Sequence, residues 1–214
     1  QGDLMWLFDD AGERIPREQA GNYPTWDWGC SHSLDVRLAH NRGSDLVVGM
    51  CLSDSYPGKG FFVNDSTRIG SPVWADGNGR ANGRLGGLVP VGAGFAVTYG
   101  TESERRSYDV ALTLISEYGY PLADYWLTDT PSVDESGPHL ATYGEDLLAQ
   151  WTGRDGFEVA IVDQDGNIVD GPVVLQAGVQ DRDDFVNWPN GDVGWPAVDS
   201  DGRTLVVSRI PYCR

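Results

Sequence analysis

The hydrophobic positions of this chain fall in runs of about four to eight residues, rich in Val, Leu and Phe. Clusters of Gly, Asp, Asn and Pro separate the runs. Apolar runs of this length between turn residues are typical of β-strands, and apolar positions at helical spacing are scarce. The sequence therefore predicts an all-β protein.

These runs recur as a repeated unit, a strand, a tight turn and a strongly apolar second strand. The unit occupies residues 37–51, 88–99, 140–151 and 196–208. Another unit follows each of the first three copies, at 61–69, 108–119 and 157–168. The copy that the fourth hairpin lacks is found at 3–15, where the Asp9–Gly12 turn aligns with Asp163–Gly166. Four repeats of roughly 50 residues therefore account for nearly the whole chain.

Four such repeats predict a four-bladed β-propeller in a single domain, residues 1–214. Three blades are expected at about 30–72, 84–125 and 137–175, and a composite blade at 1–22 with 192–214. A ring of blades protects its strand edges only if the last blade closes on the first. We therefore expect Asp3–Ile15 to pair with Thr204–Ser208.

The predicted architecture resembles that of hemopexin-like domains. The resemblance covers the arrangement of repeats alone, because the chain has no hemopexin signature and no WD, kelch or Asp-box motif. Two alternatives remain open at this point. In the first, the chain is the last part of a larger propeller whose earlier blades are on another chain. In the second, the chain is a two-sheet sandwich.

The charge of the chain excludes some classes of partner. Asp and Glu outnumber Lys and Arg by 32 to 15, for a formal net charge of −17. Such a surface repels phosphate backbones and anionic lipid, so we expect no nucleic-acid binding. No run reaches the ~20 apolar residues of a membrane helix, so no membrane insertion is expected. We expect an extracellular or secreted protein, with periplasmic location as the alternative and Gln1 as a processed or trimmed start.

The long connections between predicted strands fall on one face of the propeller, and short polar turns fall on the other. Long loops on a rigid scaffold are where binding residues concentrate. Aromatic rings beside carboxylates suit sugar rings, and they also occur as wedges between blades. The ligand-binding candidates on the long-loop face are Trp26, Asp27, Trp28, His32, Tyr56, Trp188 and Asp192.

Candidate catalytic residues are His32, His139 and Arg84. Both histidines are expected near the start of inner strands, with Asp134, Glu135 and Asp192 nearby, so an acid–base pair or a metal site is conceivable. Structural histidines are the simpler interpretation. The turns Asp163–Gly166 and Asp199–Gly202 resemble fragments of calcium loops, but tight hairpin turns explain them better.

Three cysteines leave one without a partner inside the chain. Cys30 and Cys51 are expected on neighbouring strands, where a disulfide is geometrically feasible, with two packed thiols or a Cys30/His32 metal site as alternatives. Cys213 or the chain ends would then be available to a second chain.

The leading functional hypothesis is a secreted module that binds a glycan, another small molecule or a protein, without catalysis. The first alternative is a propeller-type hydrolase or lyase with a His, Asp and Arg site in the central channel. The second is a structural or assembly subunit. The sequence contains no Gly-x-Ser-x-Gly, P-loop or dinucleotide fingerprint.

Overall fold

The computed structural model describes residues 4–20, 30, 35–53, 60–64, 69–74, 83–102, 105–180, 183–199 and 201–213. Within these ranges the regular structure is β-strand apart from one 3-10 turn, Arg17–Gln19, which confirms the all-β class. A turn of three residues is far too short to cross a membrane, and the described ranges contain no helix able to do so.

Five antiparallel sheets form in the described ranges. The smallest is the hairpin of β1 (Leu7–Phe8) and β2 (Arg14–Ile15). The first four-stranded sheet comprises β3 (Val36–Asn41), β4 (Leu46–Ser53), β5 (Gly60–Asn64) and β6 (Ile69–Trp74). The second comprises β7 (Gly83–Val91), β8 (Gly94–Thr101), β9 (Asp109–Ile115) and β10 (Pro121–Trp126). The third comprises β11 (Ser136–Tyr143), β12 (Asp146–Gly153), β13 (Gly156–Val162) and β14 (Ile168–Leu175).

In each of these three sheets the strands pair in chain order. The second strand of each sheet is apolar and largely buried. Short turns connect the pairs β3–β4, β7–β8 and β11–β12, and each turn contains a residue with positive φ: Asp45, Gly92 and Gly144. These hairpins are the repeated unit that the sequence predicts.

The fourth sheet differs from the prediction. It contains β15 (Val186–Asn187), β16 (Val193–Val198) and β17 (Leu205–Ile210), paired in that order. The expected hairpin around 196–208 forms from β16 and β17, but these are the second and third strands rather than the first two. The reason is local: Trp188 N–H donates to the Asp192 carbonyl at 2.9 Å, and this turn folds β15 back onto β16.

The expected pairing of Asp3–Ile15 with Thr204–Ser208 is not formed in the described residues. There β1 pairs with β2, and β17 pairs with β16, so no sheet is closed. The turn of the first hairpin does repeat that of β13–β14. Asp9 Oδ1 accepts the N–H groups of residues 11 and 13, as Asp163 Oδ1 accepts those of residues 165 and 167.

Apolar side chains fill the spaces between consecutive sheets. Met50, Phe61, Phe95 and Tyr99 belong to the cluster of the first and second sheets. The second and third sheets share a cluster that includes Leu112, Trp151, Val89 and Leu140. The third and fourth sheets share one that includes Ala141, Leu148 and Val193. The sheets are therefore packed face to face in chain order.

The first strands of the second and third sheets approach each other with almost no side chain between them. A Cβ atom on Gly87 would lie 2.5 Å from the Leu140 nitrogen, and one on Gly86 would lie 2.6 Å from the Pro138 carbonyl oxygen. The residue order along β7 and β11 shows that these two strands run side by side in the same direction. Two consecutive glycines permit this close approach.

The hairpin turns of neighbouring sheets meet at one side of the molecule, here named the turn face. Asn41 Nδ2, at the end of β3, donates to the carbonyls of Gly92 and Gly94 in the β7–β8 turn, at 3.0 and 2.7 Å. Asn187 Nδ2, at the end of β15, donates to the Thr142 carbonyl near the end of β11, at 2.6 Å. The turns after β3, β7, β11 and β15 therefore lie on the same face.

Candidate functional site

A cleft lies on the turn face, between the third and fourth sheets. Its volume is about 840 Å³, within the ~300–1,000 Å³ range of small-ligand sites. It is formed by the β11–β12 turn, the β15–β16 turn and the residues that follow β17. The lining residues are Thr142, Tyr143, Gly144, Glu145, Asp146, Ile161, Asn187, Trp188, Pro189, Asn190, Gly191, Tyr212 and Cys213.

Trp188 lies in the β15–β16 turn, and its indole ring packs directly against Gly194. A Cβ atom on Gly194 would collide with the indole ring, so this glycine allows the ring to pack directly on β16. The Arg209 guanidinium lies 5.7 Å from the indole centroid, at the distance of a cation–π contact. Trp188 is half-buried and also lines a small open pocket beside the cleft, together with Asp192 and Arg209. The ring is therefore fixed in position while part of it borders open space.

Asp192 is buried beside this turn and organises the chain around it. Its carboxylate accepts the Tyr212 N–H at 2.8 Å and the Asn190 Nδ2 donor at 2.8 Å, and it pairs with Arg209. The Tyr212 N–H and these further partners lower the pKa of Asp192 below its ordinary value. Asp192 is therefore a constant carboxylate at neutral pH, and its hydrogen bonds hold residues 190 and 212 at the cleft.

Tyr143 and Tyr212 form an aromatic corner in the cleft. Their rings are edge to face, with centroids 5.0 Å apart, and the Tyr143 hydroxyl donates to the Pro211 carbonyl at 2.7 Å. Burial raises the pKa of the Tyr143 phenol, so it remains protonated as this donor. The Tyr212 ring lies over two positive-φ glycines, Gly144 and Gly191, where any Cβ would collide with it.

Polar groups complete the lining of the cleft. Asn187 and Asn190 each use an amide N–H in the fold, which leaves their amide groups in fixed orientations. Glu145 and Asp146 add two carboxyl side chains at the β11–β12 turn. Aromatic rings together with amide and carboxylate groups can stack on sugar C–H edges and accept hydroxyl hydrogen bonds. The cleft thus has the chemistry of a binding site.

Comparison with known proteins bears on the fold. No family model and no curated protein matches the chain. A solved structure has a similar fold. It is a protein of unknown function from Bacteroides caccae, with 10% sequence identity and a TM-score of 0.51. The similarity covers 98% of this chain and 69% of that one, and at this identity it indicates a shared fold only.

The predicted binding residues divide into two groups. Trp188 lines the cleft and Asp192 is buried beside it, on the turn face rather than among the long connections where they were expected. The cause is β15, which makes residues 188–192 a hairpin turn instead of part of a connection between sheets. The other candidates lie outside the described residues: Trp26, Asp27, Trp28, His32 and Tyr56.

Two of the catalytic candidates, His139 and Arg84, lie within the described residues, and both are away from the cleft. His139 is on β11, opposite Gln150 in the register, and is only 1% exposed. Its ring contacts Phe185 edge-on, with centroids 6.2 Å apart. Arg84 is an exposed residue of β7, opposite Gly100. Neither lines the cleft around Trp188.

The acidic residues near His139 in the sequence serve the fold at the opposite end of the sheets. Asp134 accepts the Tyr108 N–H at 3.0 Å, just before β9 begins. Burial, with the neighbouring Asp109 carboxyl, raises the pKa of Glu135. Within the described part of the chain no group of three His, Cys, Asp or Glu side chains could hold a metal ion.

The acidic turns form tight hairpin turns. In the first, the Asp163 carboxylate accepts the N–H groups of Asp165 and Asn167 at 2.9 and 2.8 Å. In the second, Asp201 accepts those of Arg203 and Thr204 at 2.7 and 2.9 Å. Both carboxylates therefore stabilise their own turns.

The three cysteines form one disulfide and leave one free thiol. Cys30 and Cys51 form a disulfide, with Cα atoms 6.0 Å apart, and both residues are fully buried beside Phe62. Cys51 is on β4, whereas Cys30 lies outside the described strands. Cys213 is a free, exposed thiol at the edge of the cleft.

Sequence reasoning missed Tyr143, Tyr212, Asn187 and Asn190 as members of the site. One signal for two of them was present. The run Asn187-Trp-Pro-Asn-Gly-Asp192 has turn residues between two β-rich segments, which is a hairpin pattern. Tyr143 and Tyr212 carry no comparable signal, because only the packing of the third and fourth sheets brings them together.

Proposed function

We propose that this protein is a secreted binding module whose turn-face cleft takes a neutral carbohydrate. The observation that carries the proposal is the convergence of Trp188, Tyr143 and Tyr212 with two asparagine amides around one open volume. The rings are amphipathic surfaces for stacking, and their orientation is fixed before a ligand arrives. A preorganised site loses less side-chain entropy on binding.

Charge favours an uncharged ligand over an anionic one. The chain has a formal net charge of −17, and Glu145 and Asp146 contribute two carboxyl groups to the cleft itself. Arg209 lies near Trp188, but its charge is already paired with Asp192. Sulfated or uronic-acid glycans would therefore meet repulsion, while neutral sugars find hydroxyl acceptors.

The proposed scaffold of this module is a four-bladed propeller. Support comes from the face-to-face packing of the sheets in chain order and from a contact between the first and last of them. Arg37 Nε, on β3, lies 3.4 Å from Asp184 Oδ1, just before β15. The connections between consecutive sheets are also similar in length: they run from residue 74 to 83, from 126 to 136 and from 175 to 186. In this arrangement β15 is the innermost strand of the fourth blade.

For the fourth blade we propose Leu4–Phe8 as the outermost strand beside β17, a pairing that the described residues do not form. Leu4, Trp6 and Phe8 alternate along the chain and are all exposed, so as a strand they would present one apolar face. Leu205 and Val207 of β17 are exposed on one face as well. Pairing would bring the apolar side chains of the two strands together. It would also cover the free edge of β17, and exposed strand edges promote aggregation.

Binding is tested with isothermal titration against neutral oligosaccharides of the cello, chito, xylo and manno series. We expect at least one series to bind, and Trp188→Ala to abolish that binding while the circular dichroism spectrum stays unchanged. Binding of no neutral saccharide, or equal binding by Trp188→Ala, would contradict the proposal.

The matched control is Tyr108→Ala. Tyr108 is also a half-buried aromatic residue, but it precedes β9, at the opposite end of that strand from the turn face. Its removal should leave the affinity unchanged. A sulfated glycan serves as the charge control and should not bind at low ionic strength, where repulsion is strongest.

A further inference from the structure

A second depression on the turn face adjoins the cleft. Its volume is about 310 Å³, and it lies between the β7–β8 turn and the β9–β10 turn. The lining residues are Val91, Gly92, Ala93, Gly94, Phe95, Leu114, Ile115, Ser116, Glu117, Tyr118, Leu122 and Gln164. Unlike the cleft, it belongs mainly to the second sheet.

Gln164 and Glu145 mark the boundary between the two hollows. Gln164 lines the second depression, and Glu145 lines the cleft. The Gln164 side-chain amide donates to the Glu145 carbonyl at 2.8 Å, so the β13–β14 and β11–β12 turns touch here. The two hollows are therefore neighbours on one face, separated by this hydrogen-bonded contact.

The second depression has an aromatic residue of its own at the surface. Tyr118 is 75% exposed and Leu122 is 67% exposed, although both are large and apolar. The hydrogen bond between the Tyr118 hydroxyl and Glu117 raises the pKa of the phenol, which remains a protonated donor. Exposed apolar residues grouped beside a hollow mark an interaction surface more than single ones do.

We infer that the cleft and the second depression are consecutive subsites for one extended, neutral oligosaccharide chain. This inference rests on the proposed function. A sugar polymer repeats the same chemistry along its length, so a site for it repeats an aromatic ring beside hydrogen-bonding groups. Trp188 and Tyr143 supply these features in the cleft, and Tyr118 with Glu117 and Gln164 supplies them in the depression.

The test measures affinity against chain length, from the monosaccharide to the hexasaccharide, for the series that binds. We expect affinity to rise with length and then level off. Tyr118→Ala should weaken the longest chains by about tenfold, about 1.4 kcal/mol, and leave the disaccharide unchanged. Trp188→Ala should weaken every length. Tyr118 is exposed, so its truncation should not disturb folding.

The outcomes separate this inference from the proposed function. If short and long chains bind equally, and Tyr118→Ala has no effect while Trp188→Ala abolishes binding, the extended site is wrong and the cleft stands. If no chain of any length binds, the proposed function fails and the inference fails with it. Tyr108→Ala should leave every affinity unchanged.

Discussion

Arg37 and Asp184 form an ion pair between the first sheet and the segment that leads into the fourth, with Nε and Oδ1 3.4 Å apart. Arg37 also donates to the Leu85 carbonyl of β7 at 3.4 Å. The Arg37 side chain thus connects β3 of the first sheet with β7 of the second sheet and with the segment before β15 of the fourth sheet. In a ring of sheets this is the position expected of a residue near the axis.

The pair can be tested with a double-mutant cycle of Arg37→Met and Asp184→Asn. The Arg37 side chain is mostly buried, while that of Asp184 is half-exposed, so we expect a coupling of about 0.5–1 kcal/mol. Arg37→Met alone should cost more than Asp184→Asn, because it also loses the Leu85 contact. Urea unfolding measures both. Zero coupling would contradict a stabilising ion pair between these two residues.

The close approach of β7 and β11 makes Gly87 intolerant of a side chain. Gly87→Ala places a Cβ atom 2.5 Å from the Leu140 nitrogen, and we expect a loss of about 1–3 kcal/mol in the free energy of unfolding. Gly100→Ala is the matched control, since its nearest neighbour would be an ordinary 3.8 Å away. Equal stability of the two variants in urea would contradict this packing.

Acid should loosen the cleft through Asp192. Its folded pKa is lowered by the Tyr212 N–H and further partners, so the carboxylate contributes stability above the ordinary Asp value of about 3.9. That contribution is lost as the pH falls through the depressed folded pKa. The Tyr212 amide resonance should therefore titrate below the ordinary value. A midpoint at or above it, or no change with Asp192→Asn, would refute this role.

Completion of the fourth sheet is tested by amide hydrogen exchange along β17. A free edge leaves alternate N–H groups exposed, whereas pairing on both sides protects consecutive ones. We expect consecutive protection over Leu205–Ile210, lost in Trp6→Pro and retained in Trp6→Ala, which keeps its N–H. Alternate fast exchange in the unchanged chain would refute the pairing. Protection that depends on protein concentration would refute it too, since it would indicate a second copy on that edge.

Local patterns predicted much of the fold. The hairpins beginning near residues 37, 88 and 140 form because short apolar runs alternate with Gly and Asp turns. The match of the Asp9 and Asp163 turns also holds at the level of individual hydrogen bonds. The strand β15 was missed because it has two residues and lies among acidic neighbours, so its pairing depends on the turn that follows.

The candidate site was less predictable for a physical reason. Trp188 and Asp192 were found from composition, because aromatic and acidic residues stand out in the sequence. Their partners Tyr143 and Tyr212 come from distant segments, and only the packing of two sheets sets the 5.0 Å between their rings. Because β15 was missed, Trp188 and Asp192 were also assigned to the wrong face.

We propose that the turn face, rather than the long-loop face, binds the ligand. Amide chemical shifts of the labelled chain, recorded during titration with a bound neutral oligosaccharide, test this most directly. We predict that the shifts concentrate at Tyr143, Asn187, Trp188 and Asn190. Shifts that concentrate instead near Tyr108, at the opposite end of β9, would contradict it.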